Sequence, residues 1–340
     1  MHKLNVFVIT VALAGSSSAF ADINPWDFNV FSRSTIGSAN SPYGSDYQGA
    51  AGAVGNAYFG GFELRAIGGS SPSLSRSFYG GAQFTLFSGT IHGSIESAGT
   101  VSVSSYNVTG SVWSGGNLAG NGGTLNGSAT LTGVNTSSST INGSLNTGVA
   151  YNKTVDLGVV SSYFLNTSNY FAAQPNTNTG APGATTYSYN GGGIQVGLHS
   201  GLNVISISAA DLNNAYSVTV TGAGTLIVNV LGGTAELNNT DWFYNGGASS
   251  STTMLNYNQA TTLNMPWGAN RVNILAPNAA VSFPSGLVEG NLIVGSLMGG
   301  NYSGGQVNWT GSGYAGLIPA PGAAGVVAIT GLAAMRRKRR

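Results

Sequence analysis

The sequence predicts an all-β chain. It reads as a β-solenoid-like stack of short strands with coils of about 17 residues, one flanking helix near residues 155–171 and a C-terminal transmembrane helix. Three observations lead there. A short motif recurs at a nearly constant interval, the composition suits strands joined by tight turns, and the second half is built of β-branched runs of strand length.

The motif is polar, apolar, polar, Gly, Ser, apolar. It occurs at 90–95 (TIHGSI), 107–112 (NVTGSV), 124–129 (TLNGSA) and 140–145 (TINGSL). Its glycines, Gly93, Gly110, Gly127 and Gly143, therefore follow one another at an almost even step. A step of that length suits one solenoid coil. Such a coil cannot fold alone. It orders about 17 residues at roughly 1–2 kcal/mol of backbone entropy each, and about four inward aliphatics return only roughly 1.5–3 kcal/mol apiece. Stability therefore belongs to the array. The repeated glycine suits a bend where a side chain would collide with the neighbouring coil.

After the repeats, Val160, Phe164, Thr167 and Phe171 fall on one face at helical spacing, which predicts a helix lying along the solenoid. Residues 174–193 are rich in Pro, Gly, Thr and Asn and read as a loop. From 194 to 311 the chain returns to strands, including Val204–Ile207, Val218–Val220 and Leu226–Val230.

Only 6% of the residues are charged, against roughly 25% in ordinary soluble domains. Disordered chains are also poor in packing residues, whereas Val, Ile, Leu, Tyr and Phe recur throughout this one. Five of the eleven basic residues form the last pentapeptide, Arg336, Arg337, Lys338, Arg339 and Arg340, and Lys3 lies close to the start. The body between holds five basic residues against ten acidic ones, a net charge of −5. A weakly acidic body argues against nucleic acid, whose binding rests on Lys and Arg. There is no cysteine, so disulfides, thiolate metal sites and thiol nucleophiles are excluded.

The chain starts Met1-His2-Lys3, continues through an uncharged apolar stretch from Leu4 to Gly15, and reaches Ala19-Phe20-Ala21. Basic start, short apolar core and A-x-A exit make a secretory signal peptide over 1–21, cleaved after Ala21, with Ala19 and Ala21 as the recognition positions. At the other end the stretch from Gly316 to Met335 carries no charge, and its length is enough to span a bilayer. The basic cluster behind it should stay cytoplasmic.

Two resemblances extend this reading. The block VNILAPNAAVSF at 272–283, continued by GLVEGNLIVGSL at 286–297, with Phe28–Phe31 and Val204–Ile207, is similar to the choice-of-anchor A domain family over nearly the whole mature chain. The segment Ser41–Asp46 departs from the smoother polar run of that family. The resemblance implies a bacterial extracellular β-solenoid domain attached to an anchoring signal, with no catalytic residue. The second is at the tail. Pro319, Ala320 and Pro321, followed by the apolar stretch and the basic cluster, resemble a PEP-CTERM sorting signal, with Ala320 where that motif usually carries an acid. This implies an exosortase-type processing enzyme as partner and the cytoplasmic membrane as first anchor. The resulting plan is a signal peptide at 1–21, a β-rich extracellular domain at 22–311, and a linker, Pro-Ala-Pro motif, membrane helix and basic tail at 312–340.

Chemistry is hard to find. Beyond the signal segment the only histidines are His92 and His199, and His92 occupies a repeat position held elsewhere by Thr109, Asn126 and Asn142, an outward polar position. The acids are scattered singly, without the Asp-x-Asp spacing of a calcium loop. Gly191–Gly193 lack the strand, helix and Lys of a phosphate loop. Sequons such as those at Asn107, Asn126 and Asn142 reflect Asn at turns. No catalytic, metal or cofactor site is assigned and no cofactor is implied.

The expected function is that of a secreted, surface-sorted structural or adhesin-like protein of the extracellular matrix, without catalytic activity and with extracellular polysaccharide as a candidate partner. Trp242, Tyr244 and Trp309 are aromatics that could stack on sugars or pack in the core. Ice or another ordered surface is the alternative ligand, since flat Thr-bearing solenoid faces suit it. A polysaccharide-active enzyme is the weakest alternative, since it needs clustered acids.

Overall fold

The structure is a computed structural model that describes residues 23–64, 73–238, 240–300 and 302–317. Ala19 and Ala21, Pro319–Pro321 and the basic tail lie outside the described residues. Among the described residues no helix is long and apolar enough to cross a membrane.

Each coil contributes three short strands, one to each of three faces. Ile95–Ser97 lies on face A, Val101–Val103 on face B and Tyr106–Val108 on face C, and Val112–Ser114 returns to face A one coil on. Strands of successive coils pair in parallel, and Ile91, Val108, Leu125 and Ile141 stand in register, matching the step of the sequence repeat. The pattern is in–out–in: Val101, Val103, Tyr106 and Val108 are buried, while Ser102 and Asn107 point outward. This is the solenoid that the repeat predicts.

The order of the coils was not predicted. The chain begins in the middle of the stack, where Phe28–Ser32 has Ala50–Ala53 on one side and Leu292–Met298 on the other, all parallel. The first half winds outward to Leu145–Asn146 at one end. The chain then crosses to the far end, restarts at Leu202–Ser208, and winds back through Thr225–Leu231, Thr253–Asn256 and Asn273–Ser282 to close on its own first strand.

The crossing uses the predicted helix, α1 (Leu157–Ala172). Asp156 caps it, its carboxylate accepting from the Gly158 amide at 3.0 Å and the Val159 amide at 3.2 Å. Lys153 hydrogen-bonds the same carboxylate at 2.6 Å, and these contacts, the Lys153 bond first, hold the Asp156 pKa below the usual carboxylate value. Leu157, Val160, Phe164, Thr167 and Phe171 form its buried stripe, which closes a second core against Phe28, Phe31, Val204, Ile227, Met254, Leu275 and Ile293 on face A. Buried asparagines complete the join. Asn256 Nδ2 donates to the Ser168 carbonyl at 3.0 Å and to Asn229 Oδ1 at 2.8 Å, and Asn229 Nδ2 donates to the Phe171 carbonyl at 2.9 Å.

Residues 174–193, expected as a loop, contain the strand Thr186–Asn190, antiparallel to Gly193–Gly197. The turn between them has Gly191 at φ +57° and Gly192 at φ +98°, the positive-φ pair that lets a tight turn match strand twist. A short helix, α2 (Ala209–Asn213), also escaped the sequence reading.

The repeated glycines lie where two coils approach closely. A Cβ on Gly110 would meet the Gly93 carbonyl oxygen at 2.6 Å, one on Gly143 would meet that of Gly127 at 2.6 Å, and one on Gly127 would run into the Gly110 carbonyl. The obstacle is backbone, so it cannot rotate away. Gly127→Ala is therefore expected to cost about 2 kcal/mol or more by forcing two coils apart; urea denaturation of the 22–317 domain reads it. An unchanged midpoint would show that the coils yield.

Candidate functional site

With no clustered reactive groups expected, the surfaces themselves are the candidates. Face A is taken by α1 over the second half. Face B sets Tyr58, Thr85, Ser102 and Ala119 in register on its outer side, an irregular set of sizes in which Thr85 is buried. Face C is uncovered by any helix and the most regular of the three in its outward residues. Its strands run from Thr140–Ile141 through Thr124–Leu125, Tyr106–Val108, Gly89–Ile91, Phe62–Leu64 and Asp46–Tyr47 to Gln306–Asn308, Leu287–Glu289 and Ala269–Asn270. Beyond Ala269–Asn270 the parallel strands Asp241–Asn245, Ser217–Thr221 and Gly193–Gly197 follow, and the Tyr244 hydroxyl donates to the Arg271 carbonyl at 2.5 Å across the gap.

In the first half of face C two outward columns stand side by side. Thr90, Asn107, Thr124 and Thr140 occupy one and His92, Thr109, Asn126 and Asn142 the other, one position either side of the buried Ile91, Val108, Leu125 and Ile141 register. Rungs are about 4.8 Å apart and the two columns about 6.7 Å apart, as strand geometry requires. Asparagines steady the array: Asn142 Nδ2 donates to Asn126 Oδ1 at 2.9 Å, and Asn126 Nδ2 to Asn107 Oδ1 at 3.1 Å. The result is a flat grid of hydroxyls and amides without Asp, Glu, Lys or Arg. Only parallel, insertion-free coils produce it, because each coil then returns the same residue type to the same place.

His92 points outward as expected, but it is not alone. Its Nε2 lies 2.6 Å from Glu63 Oε1. Glu63 in turn stands in register with Asp46; burial and the Glu63 charge raise the Asp46 pKa above the usual carboxylate value. Two of the singly scattered acids thus come together on face C, beside the seam where first and last coils meet. Sequence reasoning missed this because the register step from Leu64 to Ile91 is much longer than the repeat, which breaks the period. His199 lies elsewhere, its Nδ1 2.6 Å from the Ser200 carbonyl.

Of the two fates open to the aromatics named from the sequence, packing prevails. Trp242 is core, and Tyr244 and Trp309 are half-buried. The exposed rings are others: Phe243, 51% exposed, stands outward between Trp242 and Tyr244, and Trp267, 56% exposed, precedes Ala269–Asn270 at the corner between faces B and C. The alternation of a strand explains the exchange, since Trp242 inward puts Phe243 outward.

A cavity of about 270 Å³ opens between face A and the start of α1, lined by Tyr79, Glu96, Tyr151, Lys153 and Asp156 among others. Glu96 is buried and already taken: it accepts from the Thr154 amide at 2.8 Å, the Thr154 hydroxyl at 2.5 Å and the Tyr151 hydroxyl at 3.4 Å, with Arg76 at 3.6 Å. Its role is to fasten the crossing segment. Among the described residues no group of three or more His, Asp or Glu side chains is placed to hold a metal ion.

No curated protein matches the chain. Among solved structures, the crystal structure of an ice binding protein from an Antarctic bacterium, Flavobacteriaceae, is similar at 11% identity and a TM-score of 0.25, over 84% of this chain and 97% of that one. The family described as "Putative Ice-binding-like adhesive domain" matches residues 26–309, the span from Trp26, whose carbonyl is bonded to the last coil, to Trp309 beside it. A match over that whole closed double-wound stack makes this chain a member of the ice-binding-like adhesive domain family.

Proposed function

We propose that this chain is a secreted, non-catalytic adhesive module of the bacterial cell surface or matrix that binds extended, uncharged polysaccharide through face C. One observation carries the reading: the columns Thr90–Asn107–Thr124–Thr140 and His92–Thr109–Asn126–Asn142 repeat hydroxyl and amide groups at a fixed interval on a rigid support. A polymer with its own repeat can be met at several rungs at once, so individually weak contacts sum. Phe243 and Trp267, with rings free for the apolar face of a sugar, favour polysaccharide as the ligand. Co-sedimentation of the 22–317 domain with insoluble polysaccharides tests it: retention on at least one uncharged glycan is expected, and no retention on any of a broad panel contradicts it.

Ice is the second reading, favoured by the threonine-bearing column and by the description of the family. A thermal-hysteresis assay separates the two; altered ice growth without glycan retention would put ice in place of polysaccharide. Catalysis is not part of the proposal. The Asp46–Glu63 pair sits beside the grid, so release of reducing sugar from a bound glycan would overturn the non-catalytic reading.

Export and envelope attachment belong to the same proposal, supported by the signal segment ending Ala19-Phe20-Ala21 and by the Pro319–Pro321 motif with its basic tail, Arg336–Arg340. Mass mapping of the mature C-terminus reads the processing: a terminus near Pro319–Pro321 is expected from an exosortase-type enzyme, and an intact Arg340 would mean a plain membrane anchor.

A further inference from the structure

The two ends of the solenoid are built differently. At the far end of the second half, face A is covered by residues 176–185. The Thr177 amide donates to the Val204 carbonyl at 2.8 Å and the Val204 amide to Thr177 Oγ1 at 2.8 Å. On the B side, α2 packs against Thr234–Glu236. Face C ends there in Thr186–Asn190, which runs antiparallel to its neighbour and so cannot continue a parallel stack.

The other end has no such cover. Thr140–Ile141 and Leu145–Asn146 are the last strands of faces C and A, and every residue from 142 to 150 is exposed. Val134 is 55% exposed and Leu145 46%. Natural edge strands are shielded by charge, proline or covering segments. Here the sequence from 97 to 152 contains no Asp, Glu, Lys, Arg or Pro.

The bare surface is also the one that each inner coil offers to the next. Within the chain, the Ser111, Ser128 and Ser144 amides donate to the hydroxyls of Ser94, Ser111 and Ser128 at 3.0–3.1 Å, one coil back each time. The ladder stops at Ser144 with the stacking surface still presented. We propose that this end docks on the same end of a second copy, giving a closed, two-fold dimer of solenoids.

Three observations select that occupant. The edge strands of this end, Thr140–Ile141 and Leu145–Asn146, would lie antiparallel to their copies across a two-fold axis, a pairing open to an uncovered edge. The surface is uncharged, so bringing two copies together opposes no like charges. The opposite end is closed, so a head-to-tail filament has no acceptor, and the remaining symmetric contact is bare end to bare end. The dimer would double the adhesive face without new binding residues.

Both cores lie within Trp26–Tyr314, so residues 22–317 are a sufficient test molecule. Sedimentation velocity from about 1 to 100 µM is expected to show a reversible monomer–dimer equilibrium. Leu145→Lys, at an exposed position, should weaken the dimer about tenfold or more while leaving the far-ultraviolet circular dichroism unchanged. Thr221→Lys, on the second half, should leave the dimer intact. A monomer throughout the range, a dimer indifferent to Leu145→Lys, or species that keep growing beyond two would each overturn the proposal.

Discussion

Asn291→Leu is expected to unfasten the closure of the solenoid and cost about 3–6 kcal/mol. The side chain is 1% exposed. Its Nδ2 donates to the carbonyls of Trp26 at 2.9 Å and Phe28 at 2.6 Å, and its Oδ1 accepts from the Tyr314 amide at 2.7 Å. Leucine is similar in size but satisfies none of these, leaving three backbone groups unpaired in a dry place at roughly 1–3 kcal/mol each. The groups belong to the first strand, the turn before it and the segment after the last coil, so the damage falls where the two half-solenoids join. Neighbouring Asn29 helps there, its Nδ2 donating to the Gly290 carbonyl at 2.7 Å, but it cannot replace the lost bonds. Urea denaturation reads the cost, and limited proteolysis should cut the variant first near the N-terminal strand. A midpoint within error of the parent would mean that the seam rests on packing alone.

Phe164→Ala is expected to loosen α1 from face A, at about 3–5 kcal/mol. Phe164 is fully buried and meets Trp26 edge-on at a centroid distance of 5.0 Å, with Phe31 at 5.3 Å and Tyr163 at 5.6 Å. Alanine leaves a cavity among large rings that neighbours cannot fill. For a domain of this size, each kcal/mol moves the melting temperature by about 2–4 °C, so a fall of roughly 10 °C should accompany loss of near-ultraviolet circular dichroism. Helical signal retained with weakened aromatic signal would show that the helix persists and only its docking fails.

The difference between the halves explains what was legible. In the first half, insertion-free coils bring Ile91, Val108, Leu125 and Ile141 to register at near-constant spacing, so the period is written in the chain. In the second half the register steps from Val204 to Ile227, from Ile227 to Met254, from Leu255 to Ile274 and from Ile274 to Leu292 are unequal and all longer than the repeat, the first two by the most. There only the strands could be read, not their stacking. Closure of the last coil on Phe28–Ser32 had no local signature, because a strand paired on both sides by distant partners looks like any apolar run. The helix was visible since α1 keeps its apolar stripe at helical spacing despite Gly158. The grid was half visible. His92, Thr109, Asn126 and Asn142 were placed outward from the repeat, whereas Glu63 beside His92 was hidden by the longer coil before it. The outward Phe243 follows only once Trp242 is known to turn inward, and Trp267 lies outside any strand, where no period marks its direction.

The central claim is that face C is the adhesive surface, and the most direct measurement is quantitative binding of three forms of the 22–317 domain to the glycan that retains it. Thr124→Arg places a long charged side chain in the middle of the grid, and Ser102→Arg places one on face B in the neighbouring coil; both positions point outward. Thr124→Arg is expected to lower the amount bound about tenfold or more, while Ser102→Arg binds like the parent and both variants keep its melting temperature. Full binding by Thr124→Arg, with the loss found in Ser102→Arg instead, would contradict it and move the adhesive surface to face B.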